Sequence, residues 1–132
     1  MATPPMPAPL LLDTNVLIYH IRLALTDDLT QQLGEALKAG RAFIGVITRI
    51  EMLAWTGHSD ESLRQTTDLI SLLPELPMSE AVIEQAIQVR KTFGLKLPDA
   101  VIAATALAHG LQLMTANESD FKRVVGLELL CI

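Results

Sequence analysis

Four carboxylate residues stand next to apolar segments of this 132-residue sequence: Asp13, Glu51, Asp99 and Asp120. Carboxylates held within a few ångströms raise one another's pKa, and a bound divalent cation offsets their repulsion. The sequence has one cysteine, and its three histidines lack the spacing of zinc ligands. If the four acids meet, their oxygens therefore favour Mg²⁺ or Mn²⁺ over Zn²⁺.

The segments that would position these acids have the pattern of an α/β domain. Short apolar runs alternate with longer segments of helical period, which is typical of a largely parallel sheet covered by helices. The predicted strands are residues 10–12, 42–47, 111–114 and 127–132, with a further short strand around Leu76. Their continuous apolar character fits strands that are covered on both faces.

The predicted helices begin at capping residues and end at glycine or proline. They run from Thr26 or Asp27 to Gly40, from Ser59 or Glu61 to Leu73, from Ser79 to Gly94 and from Pro98 to Gly110. In the second of these, we expect a buried face made of Leu63, Thr67, Ile70 and Leu73. The last helix is apolar nearly all round, which predicts burial in the domain or against a partner.

These elements place the acids at one edge of the sheet. Asp13 ends the first strand, and Glu51 is expected in the first turn of the helix after the second strand. The helix of Asp99 should run antiparallel to the strand that follows it, and Asp120 lies beyond that strand. Ligands of open parallel sheets bind outside the carboxyl ends of the strands. We therefore expect the four acids to share one site.

Each of these residues also has a structural interpretation. Asp13 could cap the next helix, Asp99 could complement a helix dipole, and Glu51 and Asp120 could be solvated acids. Four independent coincidences are a weaker explanation than one shared site. Asn15 and Thr115 could bond to the carboxylates or only shape turns.

Other conspicuous side chains are expected to be structural. His20, His58 and His109 show no metal-binding spacing. We expect Trp55 in the core or at a dimer contact, and Cys131 as a small buried hydrophobic residue.

Composition limits the remaining possibilities. Half of the residues are hydrophobic and 19% are charged, which predicts one folded domain over residues 10–132, after a proline-rich lead-in at residues 1–9. The net charge of −5 excludes a generally basic, nucleic-acid-binding surface. No signal peptide or membrane span is expected, and a single cysteine fits a cytoplasmic protein.

The segments that carry these residues resemble a known family. They are L-L-D-T-N at 11–15, T-R-I-E at 48–51, L-P-D-A-V-I-A-A-T-A-L at 97–107 and T-A-N-E-S-D-F at 115–121. Over almost its whole length the chain resembles PIN-domain proteins, most closely the VapC-type toxin ribonucleases, and the third segment is the most diagnostic. The resemblance implies a PIN-like three-layer α/β domain whose mostly parallel sheet has the order 3-2-1-4-5.

The resemblance also implies roles for particular residues. The implied metal ligands are Asp13, Glu51, Asp99 and Asp120, with Asn15 and Thr115 in support. Many relatives carry an aspartate where this chain has Asn117, so Asn117 and Asp120 compete for the fourth position. The implied activity is Mg²⁺- or Mn²⁺-dependent RNA hydrolysis by activated water, which leaves 5′-phosphate and 3′-hydroxyl ends. The implied partners are a second copy of the chain and a VapB-like antitoxin.

Two other classes remain open at this point. A response-regulator receiver also gathers acids at a sheet edge, but the chain lacks its paired acids, its phosphoacceptor and its lysine. A PIN-like module that binds RNA or protein without catalysis is the other alternative. For an antitoxin, we expect an apolar helix laid against the helices after Asp27 and Thr48, with a basic side chain near the acids.

Overall fold

A computed structural model describes residues 7–132 as a five-stranded sheet flanked by helices. The strands are β1 (Leu10–Leu12), β2 (Ala42–Gly45), β3 (Glu75–Leu76), β4 (Gln112–Thr115) and β5 (Leu129–Cys131). They lie in the order β3-β2-β1-β4-β5, and every pairing is parallel. The predicted fold class and strand order are confirmed.

The helices of the described chain alternate with these strands. They are α1 (Thr14–Ile21), α2 (Asp27–Lys38), α3 (Val46–Leu53), α4 (Asp60–Ser71), α5 (Glu80–Phe93), α6 (Leu97–His109) and the short α7 (Glu118–Phe121). Thr26, Ser59 and Ser79 cap α2, α4 and α5 through their hydroxyls, as predicted. Gly94 and Gly110 end α5 and α6 with positive φ, a conformation that favours glycine.

Alternate residues of the central strands serve two separate cores. Leu10 and Leu12 join a cluster with residues of α1 and α2, whereas Leu11 lies in a second cluster with residues of α5 and α6. Along α6, every residue from Ala100 to Ala106 is buried. The prediction of a buried helix is confirmed, and the three layers fix the carboxyl edge of the sheet in space.

The second strand is shorter than predicted. It ends at Gly45, and Val46 begins α3, so the apolar run through Ile47 spans two elements. Valine and isoleucine favour strands by their β-branching, but here they enter a partly buried first helical turn. As a consequence, Glu51 is the sixth residue of α3 and lies in its second turn instead of the first.

Two predictions of burial are corrected by the structure. Ile70 and Leu73 are buried as predicted, but Leu63 and Thr67 are exposed and Thr66 is buried instead, so the inward face of α4 is rotated from the predicted one. Cys131 is exposed because it lies on the edge strand β5, which has a neighbour on one side only. The spacing of apolar residues predicts that a helix has one buried face, but it predicts less well which side of the helix carries that face.

The proline-rich lead-in was predicted at residues 1–9, of which residues 1–6 lie outside the described part of the chain. Residues 7–9 have no regular secondary structure before β1 begins. No helix within residues 7–132 has the length and apolar content to cross a membrane.

Candidate active site

Asp13 lies where the strand order reverses, between the carboxyl ends of β1 and β4. Its side chain is only 5% exposed. The carboxylate Oδ2 accepts hydrogen bonds from Thr115 Oγ1 at 2.7 Å and Asn15 Nδ2 at 3.1 Å, and Oδ1 accepts one from Thr14 N at 2.8 Å. Asp13 therefore caps α1 and also lies at the edge where parallel sheets bind ligands.

The loop after β4 is tied to the end of β1 by the two predicted supporting residues. Asn15 Oδ1 accepts a hydrogen bond from Ala116 N at 3.0 Å, so the Asn15 amide bonds to Asp13 and to the loop. The Thr115 hydroxyl donates to Asp13 and accepts from Asn117 N at 2.9 Å. These contacts make the loop after β4 part of the site.

Glu51 approaches the site from the exposed surface of α3. Its Oε1 accepts a hydrogen bond from Thr14 Oγ1 at 2.8 Å, and the same hydroxyl lies 3.2 Å from Thr48 Oγ1. Both threonines stand in segments that resemble the family, at 11–15 and 48–51, but sequence reasoning gave neither of them a role. The available signal was the spacing of Thr48 and Glu51, since residues three apart share a helix face.

Asp120 and Asn117, which compete for the fourth position, bond to each other. Asn117 immediately precedes α7, and its Nδ2 donates to Asp120 Oδ2 at 3.1 Å. Arg123 Nη2 contacts the other oxygen of Asp120 at 3.4 Å. In this arrangement Asp120 supplies the negative charge, and Asn117 orients the Asp120 carboxylate.

Asp99 lies in the first turn of α6. Its pKa is affected by all three of the other acids. Burial raises the pKa of Asp99 above its ordinary value of 3.8, and the negative charges of Asp13, Asp120 and Glu51 raise it further. Lys96 opposes this shift. The charges of the other three acids therefore act on Asp99, and the four residues are hereafter called the acid cluster. Their shared role in metal binding stays a prediction.

The acid cluster fits a hard divalent cation by its chemistry, because its donors are carboxylate oxygens whose mutual repulsion a cation relieves. In the present rotamers, no three histidine, cysteine, aspartate or glutamate side chains within residues 7–132 are grouped closely enough to hold a metal ion. Both oxygens of Asp120 are bonded to donors of the chain itself, whereas Glu51 has a hydrogen bond at Oε1 alone within residues 7–132. A bound ion therefore requires Asp120 to turn toward it, while Glu51 can offer Oε2 with its bond to Thr14 kept.

An apolar groove of about 390 Å³ opens beside the acid cluster. Ile18 and Ile21 of α1 line it together with Met52, and it reaches Glu51. Trp55 also lines the groove and is 57% exposed, so it does not lie in the core. The other expected place for Trp55, a dimer contact, stays a prediction. The helix α2 contributes no lining residue, because its apolar side chains pack into the core beneath the sheet.

The remaining conspicuous side chains include one histidine with a clear structural role. His58 Nε2 contacts the carbonyl oxygen of Met52 at 2.8 Å, and Nδ1 contacts Ser62 Oγ at 2.9 Å. These bonds join the end of α3 to the start of α4, which agrees with the structural role expected for His58.

Comparison with known proteins agrees with this architecture. The PIN domain family model matches residues 10–127, and the chain belongs to the PIN domain family. The sequence is 29% identical over 136 residues to Ribonuclease VapC1 of Rickettsia felis, and the match takes in 93% of this chain and 96% of that protein.

Two solved structures extend the comparison. A chain of a toxin-antitoxin complex from Klebsiella pneumoniae is 30% identical, with a TM-score of 0.70 and coverage of 91% of this chain and 94% of its own. A chain of DNA-bound VapBC from Salmonella typhimurium has a TM-score of 0.82 at 22% identity, over 95% of this chain and 98% of its own. The second likeness concerns the fold alone.

Proposed function

We propose that this protein is a metal-dependent endoribonuclease and the toxin of a toxin-antitoxin pair. One observation carries the proposal: acids from four separate parts of the chain lie around the topological switch of the sheet, where burial and the charges of the other three raise the pKa of Asp99. Membership of the PIN domain family and the likeness to a VapC ribonuclease support the same activity.

The acid cluster would hold Mg²⁺ or Mn²⁺. When bound, such an ion polarises a phosphodiester and lowers the pKa of a water for in-line attack. Asn15 and Thr115 fix the orientation of Asp13. Asp99 lies at the positive end of the α6 dipole, which favours its charged form against the burial that opposes it.

The less buried acids have a different task in this proposal. Glu51 is solvent-exposed and Asp120 is partly buried, so both can meet a phosphate that arrives from solvent. With water as the nucleophile, the RNA 2′-hydroxyl is not consumed. The expected products carry 5′-phosphate and 3′-hydroxyl ends.

The end of the third strand does not support the alternative that this chain is a response-regulator receiver. In that class an aspartate at this strand end accepts the phosphoryl group, whereas β3 here ends at Leu76 and is followed by Pro77. The non-catalytic alternative leaves the gathering of four carboxylates at one edge without a purpose.

The test is cleavage of structured RNA by purified protein with Mg²⁺ or Mn²⁺. We expect cleavage that EDTA stops and that Asp13→Asn abolishes, with 5′-phosphate ends on the products. Glu84→Gln is a matched control, since Glu84 is an exposed acid on α5. Cleavage that persists in EDTA and in Asp13→Asn would contradict the mechanism, and RNA binding without cleavage would favour the non-catalytic module.

For the partner, we propose a VapB-like antitoxin that lays an apolar helix in the groove beside the acid cluster. The groove is lined by the apolar side chains of Ile18, Ile21 and Met52 and also by Glu51, so a helix bound there can bring an arginine to the acids. Replacing that arginine by alanine should restore cleavage while most of the binding affinity remains. Full inhibition by that variant would indicate steric cover of the RNA path instead.

We also propose a cytoplasmic homodimer. Ile83 and Ile87 lie one turn apart on α5 and are 39% and 47% exposed, which is a suitable apolar contact for a second copy. Sedimentation should show a dimer that Ile87→Glu weakens. A dimer that Ile87→Glu leaves unchanged would indicate that the dimer interface lies on another face of the protein.

A further inference from the structure

Thr14 occupies a position between two residues of the acid cluster. Its backbone N–H donates to Asp13 Oδ1 at 2.8 Å, and its hydroxyl donates to Glu51 Oε1 at 2.8 Å. One residue therefore contacts the buried acid at the end of β1 and the exposed acid on α3. The side-chain rotamer of Thr14 therefore affects its bond to Glu51, while its backbone bond to Asp13 stays the same.

The hydroxyl of Thr14 is itself held from the core side. Thr48 is 1% exposed, and its Oγ1 lies 3.2 Å from Thr14 Oγ1. A hydroxyl can donate one hydrogen bond while it accepts another, so Thr48 can donate to Thr14 while Thr14 donates to Glu51. Thr48 and Glu51 lie three residues apart on α3, which places both ends of this relay on one helix face.

Glu51 depends on this relay for its orientation. Within residues 7–132, the Thr14 hydroxyl is the one hydrogen-bond partner found for the Glu51 carboxylate, and no ion pair restrains it. The bond engages Oε1, and Oε2 has no hydrogen-bond or ion-pair partner within residues 7–132. An exposed glutamate without such a bond samples several rotamers, and ordering it costs conformational entropy.

We propose that Thr14 is a positioning residue that orders Glu51 for metal binding, supported by Thr48. The inference rests on the proposed function, and it adds a residue outside the set of acids and their predicted supports. Hydrogen bonds from uncharged neighbours to ligating carboxylates orient the ligands and tune metal affinity. Thr14 acts on the metal through Glu51 and makes no contact with substrate in this role.

The experiment is titration of RNA-free protein with Mn²⁺, followed by calorimetry or by electron paramagnetic resonance of the free ion. Thr14→Val keeps the shape of the side chain and removes the hydroxyl, and it should raise the Kd for Mn²⁺ by about tenfold, the lower end for such partners because Glu51 is exposed. Thr14→Ser restores the hydroxyl and should bind like wild type. Thr67→Val is the matched control, since Thr67 is an exposed helical threonine whose hydroxyl bonds to Leu63 O in its own helix.

A double-mutant cycle separates positioning from a general structural effect. In a Glu51→Gln background, Thr14→Val should add little to the Kd for Mn²⁺, because the carboxylate that Thr14 orders is gone. RNA cleavage by Thr14→Val should also recover at saturating Mn²⁺. An unchanged or lower Kd in Thr14→Val, or an equal increase in the Glu51→Gln background, would overturn the role of Thr14. Wild-type protein that binds no Mn²⁺ would contradict the proposed metal site itself, which is a distinct result.

Discussion

At the end of β1, Asp13 accepts three hydrogen bonds from the described chain, whereas Glu51 on α3 accepts one. Asp13 is buried and Glu51 is exposed. The contacts of Asp13 come from the strand ends and α1, so the fold itself fixes that carboxylate. The contact of Glu51 comes from one rotatable hydroxyl. Asp13 is therefore preorganised by the sheet, whereas Glu51 is ordered by a single side chain.

The difference shows how one site can be both stable and adaptable. Carboxylates that are buried and hydrogen-bonded contribute to folding as well as to chemistry, so their replacement has two consequences. Exposed carboxylates contribute little to folding, and their replacement should change metal binding alone. The predictions below test whether this division holds.

The largest effect is expected for Asp99→Asn. Removing a carboxylate from the acid cluster should lower RNA cleavage by at least about a hundredfold, more than the loss of an outer hydrogen-bond partner. In EDTA, the variant should be as stable as wild type or more so, because the substitution removes a charge that burial and three other acids disfavour. Cleavage assays and melting curves measure the two effects. A large fall in melting temperature without metal would make Asp99 a structural residue.

The same substitution has a pH signature. Because the pKa of Asp99 is raised in the folded state, the folded chain binds more protons than the unfolded chain between 3.8 and that raised value. Stability from this group is therefore present below 3.8 and is lost as the pH rises through the folded-state pKa. In EDTA, the advantage of Asp99→Asn over wild type should grow across this window and then level off. An advantage that is constant with pH would mean that the charge of Asp99 is not the cause.

Thr115→Val should show the second-largest effect and should affect both folding and chemistry. The buried Thr115 hydroxyl joins Asp13 to the backbone of Asn117, so its loss leaves one buried acceptor with a bond fewer and one donor unpaired. We expect a loss of about 1–3 kcal/mol in the free energy of unfolding, together with weaker cleavage. Thr105→Val is the control, since Thr105 is also buried but bonds to Val101 O within α6. If both variants lost cleavage equally, the bond of Thr115 to Asp13 would have no special role in the reaction.

The sequence predicted the buried part of the site at the strand ends better than the exposed part on α3. Asp13 and Thr115 were found because a buried strand that ends in a polar residue is visible along the chain, and parallel strands align such ends. The Thr14 to Glu51 bond was missed because it depends on how α1 lies against α3, which no local pattern encodes. The start of α3 was misplaced since Val46 carries a strand-favouring side chain into a helix.

The fourth acid gives a smaller and more selective contrast. Asp120 supplies a charge to the acid cluster, whereas Asn117 donates its amide to Asp120 at 3.1 Å. Asp120→Asn should therefore raise the Kd for Mn²⁺ more than Asn117→Ala, and neither should change stability by more than about 1 kcal/mol. Metal titration of both variants measures this order. A reversed order would make Asn117 the ligand and Asp120 a surface acid.

The smallest effect is expected for Arg123→Ala. Arg123 contacts Asp120 Oδ1 at 3.4 Å, and both side chains are about half exposed, so this pair contributes little to stability. In the proposed metal site, Arg123 would compete with the cation for the same oxygen, and its removal should lower the Kd for Mn²⁺ slightly. Lys122→Ala is the control, because Lys122 is the exposed preceding residue and the substitution changes the net charge equally. Raising the salt concentration should bring Arg123→Ala and wild type together, since screening weakens an exposed pair. A higher KM for RNA with an unchanged Kd for Mn²⁺ would instead show that Arg123 serves the substrate, and Arg123 would then supply a phosphate contact beside Asp120.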